Sequence, residues 1–167
     1  RLTGDEWFMA VDFLERVGRI STPTRQEVVL LSDILGLSML LDKINQHGSG
    51  SATDSALLGP FYVEDRPWAG NGADISGGVA GTPMLVTGLI VDEDGTPVPN
   101  AHVDTWHSDG TGFYDVQQED TLDGQLAMRA LLTTDEQGRF WYWSIQPRYY
   151  PVPTDGPCGE IMRAANR

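Results

Sequence analysis

"VTGLIVDEDGTPVPNAHVDTW", residues 86–106, is the stretch whose reading decides the fold. Its centre carries "DEDG", where Asp and Gly supply turn geometry, and on either side the hydrophobic period drops to two. The same turn chemistry returns as "DEQG" inside "TTDEQGRFWYWSI", residues 133–145. Together these predict short strands over residues 84–91, 101–106, 126–134 and 139–145, a spacing that describes an antiparallel β-sandwich. Two uses of one Asp-Gly turn do not make a repeat of the solenoid kind. Long irregular stretches remain at residues 59–83 and 146–160, and loops of that length in a compact domain are commonly functional.

Upstream of "GSGSATDS" the period is helical. "TGDE" offers Thr3 as N-cap with Glu6 three residues on, and Trp7, Val11, Leu14 and Val17 fall on one apolar face. A second helix is predicted to start at Thr22 and Pro23, with Thr24 and Glu27 as a rival capping box. It runs through Leu30, Ile34, Leu37, Leu41 and Ile44 until Gly48 stops it. Leu31, Leu35 and Leu40 widen its apolar stripe beyond what one packing partner needs, so a second copy of the chain is a candidate partner. The expected class is α+β: a helical dimerisation and linker segment at residues 1–50, then a β-sandwich core at residues 51–167.

Bulk properties exclude several functions. The 167 residues are 40% hydrophobic, enough for one core, and contain no apolar run near the ~18 residues of a membrane span. A formal charge of −13, with no basic stripe, repels a phosphate backbone and argues against nucleic acid as a partner. One cysteine, Cys158, excludes an internal disulfide framework, and no signal-like segment is visible, so a cytoplasmic location is expected. The chain opens on Arg1 and stops at Arg167 inside a helix-like stretch, which reads as a piece of something longer.

Two tyrosines stand apart from the strands. Tyr114 follows Gly112 at the end of the Asp-rich turn "DTWHSDGTGFYD", residues 104–115, and Tyr150 lies between Tyr149 and Pro151 in "PRYYPVPTDGP", residues 147–157. Rigid backbone outside a sheet is where sites are built. A phenol is neutral in water, with a pKa near ~10, but a trivalent cation turns it into a hard anionic oxygen ligand. Ferric iron is the metal that this chemistry suits. His47 falls in the last turn of a helix, where a cation complements the dipole. His102 and Asp104 share one face of a strand and read as its polar outer side, and His107 reads as structural.

"ALLGPFYVEDRP", "GTPVPNAHVDTWHSDGTGFYDVQ", "TTDEQGRFWYWSIQPRYYPVPTDGPCGEIMRAANR" and "LERVGRISTPTRQEVVLLSDILGLSMLLDKI" together resemble the intradiol ring-cleavage dioxygenases, most closely the hydroxyquinol 1,2-dioxygenases. The likeness fixes order, spacing and punctuation across nearly the whole chain. It implies one non-haem Fe(III) per subunit, held by two tyrosinates and two histidines, with Tyr114 and Tyr150 at the tyrosine positions. Tyr150 would be the ligand that substrate displaces and Tyr114 the one that stays. The family's histidines lie in an "RPAHIH"-like strand, which the resemblance places beyond Arg167.

The implied reaction joins O2 to an aromatic diol or triol, hydroxyquinol or a catechol, and yields a muconate-type dicarboxylic acid. By position, the substrate-contacting residues would be Leu30, Asp33, Leu57, Leu58, Gly59 and Pro60. The family also implies a homodimer through the N-terminal helices, often around a lipid-sized channel. Two further readings of the same residues are a truncated, catalytically dead relative and a transthyretin-like or Ig-like binding module.

Overall fold

The computed structural model describes residues 1–22, 25–45 and 52–166. Its elements in chain order are α1 (Gly4–Ile20), α2 (Glu27–Ile34), α3 (Leu37–Asn45), β1 (Pro83–Leu89), β2 (His102–Trp106), α4 (Glu119–Leu122), β3 (Arg129–Thr133), β4 (Arg139–Ile145) and α5 (Pro157–Ala164). The chain divides into two compact units, one from Arg1–His47, Asp54–Leu57 and Val152–Arg167, the other from Gly48–Thr53 and Leu58–Pro151. Helices followed by antiparallel sheets are the α+β arrangement expected from the sequence.

In the helical unit, α1 starts as predicted. Thr3 Oγ1 accepts from the Glu6 N–H at 3.3 Å while the Glu6 carboxylate accepts from the Thr3 N–H at 2.7 Å, a reciprocal capping box. Of the apolar face that the sequence marked, Val17 is buried while Trp7, Val11 and Leu14 are exposed. Periodicity marks a face as apolar without saying what covers it, and here Val17 packs with Leu31 and Cys158, flanked by Phe13, Leu30, Ile34 and Ile161. Leu31 therefore belongs to the unit's own core, whereas Leu35 and Leu40 lie open.

The single long second helix is corrected: it is two helices, α2 and α3, broken at Leu35 and Gly36. Gly36 sits at φ 74°, and its N–H turns back to the Asp33 carbonyl at 3.0 Å. A left-handed glycine at this position ends a helix, so a continuous apolar pattern does not guarantee a continuous helix. The Pro23 and Thr24 start signals, His47 and the Gly48 stop lie outside the described residues.

In the other unit, β1 pairs antiparallel with β4 and β2 with β3; β4 has the predicted bounds, β1 starts one residue earlier and ends two earlier than predicted, and β2 and β3 are shorter than predicted. Met128 explains one of these: at φ 54° it cannot continue a strand, so β3 begins one residue later at Arg129. Ala130 and Leu132 from β3 meet Tyr142 from β4 and Ile75 in one core cluster, with Val86, Val103, Phe140 and Ala69 packed around it. Thr105 Oγ1 and Tyr142 Oη, 2.9 Å apart, add a polar tie between the two sheets. The two "D-E-x-G" turns are built alike: Asp92 accepts from the Asp94 and Thr96 N–H groups, and Asp135 from those of Gln137 and Arg139.

The two long loops are partly structured. Residues 59–83 add single bridges to the sheets, Trp68 to Leu131 and Asp74 to Trp143. The predicted 146–160 loop is shortened by α5, whose Pro157 occupies the first helical turn.

Candidate metal centre

Tyr114 and Tyr150 come together. Their ring centroids are 6.3 Å apart with the planes at 71°. Phe61 lies against both rings, stacked on Tyr114 at 4.2 Å and edge-on to Tyr150 at 5.1 Å. Tyr114 is half-buried and Tyr150 is 38% exposed. Among the described residues neither phenol hydroxyl takes part in a hydrogen bond, so both oxygens remain available as donors to a ligand.

The loops carrying these rings are fastened to each other. Ser108 Oγ donates to the Arg148 carbonyl at 2.7 Å, and the Arg148 N–H donates to the Asp109 carbonyl at 3.0 Å. Between them sits Gly112, buried and at φ 96°, where a Cβ would stand 2.5 Å from the Tyr149 carbonyl oxygen and 3.3 Å from Pro151 Cδ. The glycine before Tyr114 is thus demanded twice, by its backbone angle and by the closeness of the other tyrosine loop.

Asp109 organises the first loop. One carboxylate oxygen accepts from the Thr111 N–H and hydroxyl, each at 2.7 Å, and from the Phe113 N–H at 3.1 Å. The other accepts from Gln118 Nε2 at 3.1 Å. Burial works against the charged form of Asp109, but these hydrogen bonds outweigh it and hold the carboxyl below its usual range.

Beneath Tyr114 lies a buried ion pair. Arg129 Nε donates to Asp115 Oδ2 at 2.6 Å, Nη2 donates to Oδ1, and Nη1 donates to the Phe61 carbonyl at 3.0 Å. Asp115 Oδ2 also accepts the Ala127 N–H at 3.0 Å. Both charged residues are almost fully buried.

His107 and His102 behave as the sequence suggested. His107 contacts the Ser108 carbonyl through Nδ1 at 2.7 Å and Ser144 Oγ through Nε2 at 2.8 Å, which occupies both ring nitrogens. A carbonyl can only accept, so the proton sits on Nδ1. Burial pushes this imidazole below its ordinary pKa, opposed by the Ser108 carbonyl and the Asp115 charge. His102 is exposed with its ring against Trp68 at 5.1 Å, and Asp104 pairs with Arg66 at 2.6 Å, so the two do not form a metal pair. No cluster of three His, Cys, Asp or Glu side chains able to hold a metal occurs among the described residues.

The other predicted site residues are distributed over the two units. Leu30, Asp33 and Leu57 belong to the helical unit, where Leu30 packs on its core and Asp33 and Leu57 are exposed. Leu58, Gly59 and Pro60 belong to the other unit and are exposed, with Gly59 at φ 76°. An open cleft of about 730 Å³ lined by residues including Glu64, Arg66, Trp68 and Gln125 contains neither tyrosine. Phe61, Asp109, Asp115 and Arg129 escaped the sequence reading. An arginine opening the apolar run "RALL" was the available signal for a buried charge and its partner.

A family profile described as "Dioxygenase" matches residues 57–167, and one described as "Catechol dioxygenase N terminus" matches residues 1–53. The chain belongs to the intradiol ring-cleavage dioxygenase family. It is 46% identical to hydroxyquinol 1,2-dioxygenase of Rhizobium sp. (strain MTP-10005) over 99% of this chain and 56% of that protein. Identity to catechol 1,2-dioxygenase of Candida albicans is 35%, over 99% of this chain and 55% of that one. The crystal structure of hydroxyquinol 1,2-dioxygenase from Pseudomonas putida DLL-E4 superposes with a TM-score of 0.91 at 40% identity, covering 99% of this chain and 57% of that one. The chain thus spans about half the length of the relatives it matches.

Proposed function

We propose that this protein opens the ring of hydroxyquinol, or of a related catechol, with dioxygen between the two oxygen-bearing carbons, in the breakdown of aromatic compounds. One observation carries the reading: two phenols from separate loops, 6.3 Å apart between ring centroids, whose hydroxyls engage no described residue. The higher identity to a hydroxyquinol enzyme, 46% against 35% for a catechol enzyme, supports the trihydroxylated substrate.

The donor set suits ferric iron, one per subunit. Phenolate oxygens are hard, anionic ligands that match a hard trivalent ion, and Tyr114 and Tyr150 would hold it alongside the two histidines the family resemblance implies. When bound, the iron supplies the Lewis acidity that draws electron density out of a chelated diol ring and readies it for O2. Tyr114, stacked on Phe61, keeps its place. Tyr150 is the more exposed ring, and its phenol oxygen would be the one to take up the proton of a substrate hydroxyl. The resemblance assigns substrate contacts to Leu30, Asp33, Leu57, Leu58, Gly59 and Pro60.

The same reading makes the protein a cytoplasmic homodimer joined through residues 1–50 around a lipid-sized channel, with catalysis in residues 51–167. Among the described residues no helix is long and apolar enough to cross a membrane.

Visible absorption tests the centre. Protein loaded with ferric iron is expected to be wine-red from tyrosinate-to-iron charge transfer, and Tyr114→Phe is expected to lose the colour and the ring-opening activity together. A colourless wild type carrying stoichiometric iron by elemental analysis would overturn the ligand assignment.

A further inference from the structure

We infer that Arg129 is a positioning residue for Tyr114, its guanidinium joining the Asp115 carboxylate, next to Tyr114, to the backbone carbonyl of Phe61, whose ring stacks on Tyr114. The inference rests on the proposed role of Tyr114 as a metal ligand. Arg129 opens β3 and is 3% exposed, so its side chain has no recourse to water. Two of its nitrogens grip both carboxylate oxygens of Asp115, the residue next to Tyr114. The third reaches the carbonyl of Phe61, whose ring lies on Tyr114 at 4.2 Å with the planes only 19° apart. One rigid planar group therefore fixes both partners of the stack. The Ala127 N–H on Asp115 ties the carboxylate in turn to the segment just before β3.

Stability alone does not account for this arrangement. Two charges withdrawn from water cost several kcal/mol each, and apolar residues of the same shape commonly replace a buried pair without loss. What an apolar pair cannot do is hold a carbonyl and a carboxylate in one plane. Lysine cannot do it either, because a single ammonium lacks the fork that spans Asp115 and the Phe61 carbonyl. A ring held only by its own loop would rock between orientations. The separation of the two phenol rings, which a metal requires before it binds, would then vary.

The test uses metal-free protein in which the five tyrosines carry a 3-fluoro label, each fluorine resonance assigned by a Tyr→Phe change. In wild type the Tyr114 line is expected to be single and sharp. In Arg129→Lys it is expected to shift and broaden, while the line of Tyr142, buried in the sandwich core, stays in place. Should Arg129→Lys not fold, the apolar double variant Arg129→Met/Asp115→Leu supplies the same comparison with the buried charges removed as a pair. An unchanged Tyr114 line in a folded variant overturns the proposal. So does an equal change of all five lines, which would mean that the pair serves only general stability. A wild type without the iron-dependent colour would defeat the metal reading and leave the fluorine result to stand or fall separately.

Discussion

A single charge decides how much His107 contributes. The imidazole is neutral because burial disfavours its cation, so its folded pKa lies below the ordinary value of 6.5. The unfolded chain then binds the proton more readily, and stability is fully present above about pH 6.5 and declines as the pH falls toward the folded value. Thermal unfolding at pH 7.5, 6.5 and 5.5 is expected to show a falling midpoint, with a shallower fall in His107→Gln. Equal slopes would mean that His107 is not the group behind the loss, since a carboxylate held below its usual range, such as Asp109, keeps its full contribution throughout this pH window. The sequence named His107 as structural and Tyr114 with Tyr150 as a pair, since glycine and proline beside a tyrosine are visible in one dimension. Arg129 and Asp115 were not legible as partners, because a guanidinium reaching a residue fourteen positions earlier is a property of the folded chain. Asp33 bears on specificity at this same scale. The resemblance placed it among the substrate contacts, and it is exposed, so relief of a buried unpaired charge does not drive selectivity. The proposed substrate contact through Asp33 predicts that Asp33→Ala reduces the hydroxyquinol-over-catechol ratio of kcat/KM about tenfold, roughly 1.4 kcal/mol. An unchanged ratio would remove Asp33 from the substrate contacts.

Between elements, the decisive feature is a carboxylate that the sequence assigned to a capping box with Thr24. Glu27, at the start of α2, is 1% exposed and accepts the N–H of Cys158 in the first turn of α5 at 3.1 Å. Arg25 donates to its other oxygen at 3.2 Å and also grips Asp155. A negative group at a helix N-terminus satisfies a donor that the helix itself leaves open. The joint leaves no room: a Cβ on Gly156 would meet Glu27 Oε1 at 2.4 Å and Arg25 Nη2 at 2.9 Å. Glu27→Ala is expected to cost about 1–3 kcal/mol in chemical denaturation, the range for an orphaned buried donor. Gly156→Ala is expected to be destabilising in wild type and milder in the Glu27→Ala background, where the clashing oxygen is gone. Additive effects would mean that the two positions do not share one contact. Strands, turns and the Thr3 cap were readable because their signals are local. The break at Gly36 and the seat of α5 were not, because each depends on what the helix meets after it forms.

For the whole molecule, the remaining question is what covers the helical unit's apolar surface. Leu35, Leu40 and Leu41 are each more than half exposed, as are Leu37, Met39 and Ile44 near them. The sequence foresaw a stripe too wide for one partner, and of the three leucines that widened it the chain's own core takes Leu31 alone. An open apolar surface of this kind marks an association site, and a second copy brings an identical apolar patch to meet it. Opposing this is the net charge of −13 on every chain, which repels a like-charged copy until salt screens it. Association is therefore expected to strengthen from 0.02 to 0.5 M NaCl, roughly a fall in Debye length from ~20 to ~4 Å, opposite to an interface held by ion pairs. Sedimentation at micromolar concentration in 0.5 M NaCl should give a dimer, and Leu40→Asp with Leu41→Asp should give a folded monomer by forcing two carboxylates into that surface. A wild-type monomer under these conditions would reject the self-association. Larger species without a defined dimer would mean that these leucines meet a different partner.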